Sequence, residues 1–281
     1  MKGLSRTQKL TAIALILFGV IWLLPAYFTI QTSFLGKFTS PMNFWGRAHL
    51  FNWRVLPWGK LTGWASNTLI VCGIAAILSP LVCISAGYAF VRYKFWGKEA
   101  IFYLFLLAIT IPGVALFLPR YLLVARSGLR GSHLGMALPG IMLPASVFLA
   151  RQFLSQIDMS IIEAARLDGA SELRILRSII FPLSMPLVIL NVITAFRSVY
   201  SDFFWQYLVG KGIKTFAVGI GLFILSKDSG AEMQRSLTVS FLGSPTISAE
   251  SLRAAVSVLQ SLPILLLFII GQKHFLKGIK I

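Results

Sequence analysis

The sequence predicts an all-α integral membrane protein with six transmembrane helices and a helical, water-exposed loop between the fourth and fifth. Three observations lead there. Of 281 residues, 57% are hydrophobic and 12% charged, with a mean hydropathy of +0.80, more apolar surface than a soluble core of this length can bury. The apolar runs are continuous over about 20 residues, the length at which a helix crosses roughly 30 Å of hydrocarbon, whereas barrel strands alternate over about 10. Between two of these runs stand Glu163, Arg166, Asp168, Glu172, Arg174 and Arg177, charges that belong in water.

The first span, about 11–32, follows Lys2, Arg6 and Lys9. A cleaved leader has such a start, but five more apolar segments follow and the apolar stretch exceeds a leader's, so a retained helix is expected. The second span is placed at about 67–91, the third at 100–124 and the fourth at 134–153. Pro80, Pro112, Pro119, Pro139 and Pro144 fall within them. Each proline removes a helix hydrogen bond, which membrane helices tolerate when a neighbour or water satisfies the freed carbonyl, so bent helices around a pathway are expected. The fifth span, about 179–209, is too long for one straight helix, and the sixth, about 252–270, contains Pro263. Six spans put both termini on one side. Lys and Arg divide almost evenly between the two sides, but those on the terminal side sit in shorter loops, which favours cytoplasmic termini. The loop at about 155–178 is then cytoplasmic, and the loop at about 210–251 lies outside.

Several function classes are disfavoured. The net charge of +17 invites a nucleic-acid reading, but the basic residues are scattered singly between apolar segments, as suits loops facing anionic headgroups. Cys72 and Cys83 share one apolar segment and form no metal or redox motif; His49, His133 and His274 lie far apart, so no metal site is expected. No grouped His, Asp or Cys near a segment end suggests an enzyme. A proton-coupled secondary transporter needs a carboxylate relay, and Asp202 is the only acidic residue well inside a span. Trp45, Trp53, Trp58 and Trp64 read as an interfacial aromatic belt.

The polar loop carries the sharpest signal. Helix-forming Glu163, Ala164, Ala165, Arg166 and Leu167 precede Asp168-Gly169, a helix-ending signal, and a second helical run opens at Ser171, a good capping residue. The spacing is Glu163-Ala164-Ala165, three residues, Gly169, nine residues, then Ile179-Ile180-Phe181-Pro182. This resembles the EAA loop of ABC importer permeases, with Phe181 where Leu is usual. Tyr88 to Lys98, Asn67, Pro112-Gly113 with Pro119, and Gln272 to Gly278 are similar to the carbohydrate-uptake, MalG-like branch of these binding-protein-dependent transport components, so the resemblance covers nearly the whole chain.

That resemblance implies the type I importer permease fold and a cytoplasmic coupling helix docking into an ATPase cleft through Glu163, Ala164, Ala165, Asp168 and Gly169. It implies four kinds of partner: a second permease, two ATPase subunits, an extracytoplasmic binding protein and the saccharide itself. ATP and Mg would be held by the ATPases and no cofactor by this chain, which has no G-x-x-x-x-G-K-[ST] phosphate loop. Localisation in a bacterial plasma membrane follows.

Substrate chemistry is sought in span five. As one continuous helix it would align Arg197, Tyr200, Ser201, Phe204 and Leu208 in a stripe of donors and aromatic faces that suits a sugar. Where the family's usual pattern is F-x-x-x-W-N-D-F-x-W-P, this chain carries Tyr200, Ser201 and Gln206 in place of Trp, Asn and Pro, and Arg197 at a position normally small or apolar. Arg197 pairs with a partner permease, snorkels towards water, or recognises a substrate carboxylate such as a uronate. A neutral oligosaccharide is the alternative substrate. In resembling subunits the long outer loop reaches the binding protein, which points to Lys214, Lys227 and Arg235.

Overall fold

The structure, a computed structural model, describes residues 5–35, 50–54, 56, 58–225 and 249–278. Among them every regular element is helical: α1 (Arg6–Ser33), α2 (Phe51–Arg54), α3 (Trp58–Arg92), α4 (Lys98–Thr110), α5 (Phe117–Arg126), α6 (His133–Ile141), α7 (Pro144–Leu154), α8 (Met159–Leu167), α9 (Glu172–Ile175), a π-helical turn (Leu176–Ile180), α10 (Phe181–Leu183), α11 (Met185–Tyr200), α12 (Phe203–Gly210), α13 (Phe216–Leu225) and α14 (Ala249–Gly278). Of the helices described, α1, α3 and α14 are each long and apolar enough to cross a membrane, and two bent pairs, α6 with α7 and the segment Glu172–Leu183 with α11, qualify as pairs.

The chain clusters into two compact units. One comprises residues 1–58 and 222–263. Within it α1 opens with a capping box, in which the Ser5 hydroxyl and the Gln8 side chain satisfy each other's backbone N–H groups. Its C-terminal end is pinned by Asn52, whose Nδ2 donates to the Ser33 and Leu35 carbonyls at 3.0 and 2.9 Å. Most of the α1 surface is exposed and apolar, from Leu10 to Ile30, as a lipid-facing helix requires.

The other unit, residues 59–221 and 264–281, holds the polar loop and the segment expected as span five. A core of Val71, Cys72 and Ala75 from α3, Met136 and Ala137 from α6, Ala195, Val199 and Tyr200 from α11, and Trp205 and Val209 from α12 fills one end. At the other end Ile84, Tyr88, Ala150, Leu154, Ile162, Ile175, Ile180 and Leu187 form a second core under the polar loop. Between α3 and α7 the backbones meet at Gly87, where an added Cβ would stand 2.5 Å from Ala150 Cβ. Asn67, His133 and Lys214 meet at the first end: Asn67 Nδ2 donates to the Lys214 carbonyl at 3.0 Å and Asn67 Oδ1 shares a 2.9 Å hydrogen bond with His133 Nε2. Arg151 and Glu99 pair at 3.0 Å across α7 and α4.

Three expected spans take a different form. The second begins at Trp58, so Asn67 lies inside α3 and does not open it. The third, expected as one helix over 100–124, is two helices parted at 111–116, because Pro112 cannot donate and forces Ile111 into extended backbone (φ −74°, ψ 123°). The fifth is interrupted twice. A bend of 83° separates Glu172–Leu183 from α11, and Ser201-Asp202 separates α11 from α12, with the Asp202 carboxylate accepting from Trp205 N–H at 3.0 Å.

Each break inside apolar surroundings leaves backbone groups that need a partner. Pro139, inside α6, cannot bond the Gly135 carbonyl four residues back, and the buried Trp205 Nε1–H donates to that oxygen at 3.2 Å. Gln206, standing where the resembling family has proline, donates to the Val199 carbonyl across the α11–α12 break and accepts from the Thr215 hydroxyl. The Cys83 thiol lies 3.8 and 3.9 Å from the Ile141 and Leu143 carbonyls, at the 46° bend between α6 and α7.

Trp205→Phe keeps the ring but strands the Gly135 carbonyl, so the chain should lose about 1–3 kcal/mol of stability. In a Pro139→Ala background the restored N–H should recover most of that loss. Both native cysteines are buried, so the temperature at which they react with a thiol dye reads unfolding; a Trp205→Phe effect of undiminished size in the Pro139→Ala background would refute the assignment.

Candidate functional site: the polar loop and the cavity beside span five

The loop at 155–178 is a short helix with one anchored face and one free face. Asp158 caps α8, its carboxylate accepting from Ser160 N–H at 3.0 Å, a bond that holds its carboxyl below the usual range. Ile162 points into the second core, with Ala165 partly buried beside it. The helix ends in a Schellman motif: Ala170 N–H donates to the Ala165 carbonyl at 3.0 Å and Gly169 N–H to the Arg166 carbonyl at 2.9 Å. Gly169 takes φ +79°, with no atom within 4 Å of where its Cβ would be. Left-handed backbone, not crowding, therefore requires glycine here. Ser171 then caps α9 by accepting from Arg174 N–H at 3.4 Å.

Glu163, Ala164, Leu167 and Asp168 face outward. Leu167 is 90% exposed and Leu173, across the turn, 75%. Neither leucine stood out in the sequence, where both fit an ordinary amphipathic pattern; only the burial of Ile162 and Ile175 fixes which side is free.

A polar anchor ties this loop to the end of α3. Glu172 accepts from the Tyr93 hydroxyl at 2.8 Å and the Tyr88 hydroxyl at 3.2 Å, and forms an ion pair with Arg166. Partial burial raises the Glu172 pKa, but the hydrogen bonds from Tyr93, Arg166 and Tyr88 together outweigh it, so the net direction is down. Partial burial and the same carboxylate push the Tyr93 phenol up.

The expected stripe along span five does not form. Since the helix ends at Tyr200, the register that would carry Arg197 to Phe204 is lost at Ser201-Asp202. Tyr200 is buried in the first core, whereas Arg197 and Ser201 are exposed and Phe204 is 57% exposed. Phe204 instead lines a cavity of about 340 Å³ with Gly113, Val114, Phe117, Arg120, Pro139, Asp202 and Trp205. The Lys214 side chain is exposed near Asn67 and His133, while Lys227, Arg235 and most of the expected outer loop lie outside the described residues.

Helices long and apolar enough to cross a membrane, several of them broken, thus surround a core that carries a capped polar helix at one end. The fold agrees with that of a bacterial ABC transporter involved in the import of the acidic polysaccharide alginate, whose matched chain is 21% identical with a TM-score of 0.80, over 98% of this chain and all of that one. A family model for the inner membrane component of binding-protein-dependent transport systems matches residues 79–242, and the chain belongs to that family. Relatives include the maltodextrin transport system permease protein MdxG of Bacillus subtilis, 28% identical over 218 residues (77% of this chain, 73% of that protein). The melibiose/raffinose/stachyose import permease protein MelC of the same organism is 27% identical over 297 residues (98% and 96%).

Because the folded state lowers the Glu172 pKa, the anchor contributes above the ordinary carboxylate range and is lost as pH falls through it. Hydrogen exchange of the amides at 166–176, corrected for its intrinsic pH dependence, should lose protection several-fold between pH 7 and 3.5. Glu172→Gln should start less protected and show almost no pH dependence.

Proposed function

We propose that the chain is the permease subunit of an ATP-driven, binding-protein-dependent saccharide importer. It forms half of the translocation pathway with a second permease, and its 155–178 loop docks one of two ATPase subunits, which hold the ATP and Mg. An extracytoplasmic binding protein delivers the saccharide on the opposite side, with Lys214, Lys227 and Arg235 at the contact, and both termini lie in the cytoplasm of a bacterial cell. One observation carries this reading. The helix bearing Glu163, Ala164, Leu167 and Asp168 is fixed from beneath by Ile162, Ile175 and the Glu172 anchor while its outer face is free. A rigid element passes on displacement, and two exposed leucines beside Glu163 and Asp168 offer an apolar centre with a charged rim.

Ala165 and Gly169 contribute to docking by shaping this helix, through the Schellman motif, more than by letting a partner approach. When the ATPases close on nucleotide the loop moves with them, and α3, bonded to Glu172 through Tyr88, moves too, which supports an alternating-access cycle.

The substrate has two readings, separated by charge. The exposed Arg197, in the segment expected as span five, supports an acidic, uronate-containing oligosaccharide. The neutral sugars named for MdxG and MelC support a neutral oligosaccharide.

Leu167→Glu with Leu173→Glu should weaken co-purification of the ATPase subunits at least tenfold while leaving the thermal unfolding of the chain unchanged. Gly169→Asn, which tolerates the left-handed backbone, should keep the ATPase, and Gly169→Val should lose it. An ATPase that stays bound to the double leucine variant sinks the docking reading. If the acidic reading is right, Arg197→Ala abolishes uptake of an alginate oligosaccharide and spares raffinose; equal loss of both places Arg197 in structure or partner contact.

A further inference from the structure

We infer that the cavity beside Asp202 is a subsite for one neutral, hydroxyl-bearing sugar unit, with Phe204 and Phe117 as its stacking wall and Arg120 and Asp202 as its polar wall. The inference rests on the saccharide-importer reading and names the substrate class for one place along the route.

The cavity is assembled by the helix breaks. Phe117 and Arg120 come from α5, which begins only because the third span breaks at Pro112; Asp202 and Phe204 come from the interruption between α11 and α12. Its volume, about 340 Å³, is at the lower end of the roughly 300–1,000 Å³ of small-molecule sites, on the scale of about one or two sugar rings. The wall is aromatic. Phe117 and Phe204 lie with centroids 4.7 Å apart, and Trp205 meets Phe117 edge-on at 5.8 Å. The C–H face of a pyranose packs on such rings, and the exposed Phe204 ring is open to receive it.

The polar groups then choose among sugars. Arg120 offers fixed N–H donors and Asp202 offers acceptors, the pair that vicinal hydroxyls satisfy, since each hydroxyl both donates and accepts. Asp202 commits one oxygen to Trp205 N–H, leaving its second oxygen for a ligand. Arg120 and Asp202 stand in the same lining as one guanidinium and one carboxylate. A uronate placed here would add a second carboxylate to a lining with one guanidinium, leaving one negative charge unmatched, which disfavours it. Arg197, with no part in this lining, gives no help.

Through Phe117 and Trp205 the cavity adjoins the first core, and the polar loop packs on the second. The cavity's helix α5 runs to Arg126, shortly before His133, and α12 runs to Gly210, shortly before Lys214. A solute arriving on the side opposite the ATPases would meet it early.

Val114→Cys provides the test, in the assembled transporter in membranes, because Val114 lines the cavity outside both walls and is 88% exposed, while the native Cys72 and Cys83 are buried. Its labelling by a hydrophilic maleimide is followed with maltotriose, raffinose, arabinotriose or galactotriose, with an alginate trisaccharide, and with mannitol at matched osmolality. The inference requires at least one neutral oligosaccharide to slow labelling about threefold or more, with alginate and mannitol without effect. It also requires Asp202→Asn, which still caps α12, and Arg120→Gln each to remove the protection. Unchanged labelling in every saccharide, protection by alginate in place of the neutral sugars, or protection that survives both substitutions overturns it. Co-purification of the ATPases, measured on the same preparations, judges the importer reading separately.

Discussion

A backbone carbonyl in hydrocarbon has no water to bond, and this constraint governs how the helices of this chain can bend. At Pro139 within α6 and at the gap between α11 and α12, a side chain bonds the carbonyl that the break leaves free. Trp205 Nε1–H takes the place of the N–H that Pro139 lacks, and Gln206 spans the gap between α11 and α12. Ser132 caps α6 through Gly135 N–H at 3.0 Å, and Asp202 caps α12. These two breaks are therefore held by side chains from elsewhere in the fold. A pathway needs such breaks, because straight apolar helices offer a solute neither polar groups nor a recess.

The same constraint shapes the polar loop. Asp158, the Schellman turn at Gly169 and Ser171 satisfy both ends of α8 and the start of α9 with local groups. Burial of Ile162 and Ile175 fixes the inner face, and Glu172 joins the loop to α3 through Tyr88 and Tyr93. Residues that read as a recognition pattern thus divide by physical role. Ala165 and Gly169 build the turn, while Glu163, Ala164 and Asp168 remain on the surface with Leu167.

Two arginines of the apolar segments differ in place: Arg197, from the fifth span, stays outside the cavity, where Arg120 from the third stands with Asp202 from the fifth. In the sequence the basic residues are scattered singly between apolar segments, as suits loops facing anionic headgroups.

The sequence by itself determined what short-range chemistry determines: the apolar spans, the all-helical class, the helix-turn-helix of the polar loop and the family pattern within it. Periodicity, caps and left-handed glycine act over a few residues, so Ser171 and Gly169 were legible before any coordinates. Tertiary structure decided what depends on residues far apart in the chain. Glu172 meets Tyr88 from 84 residues away and Trp205 meets Gly135 from 70, and no local pattern foretells such pairs. The expected stripe from Arg197 to Phe204 gave way to a signal as local as Ser171 and Gly169, the Asp202 cap on Trp205 N–H that starts a new helix. What only the tertiary structure supplied there is Phe117, from another helix, whose ring lies 4.7 Å from that of Phe204.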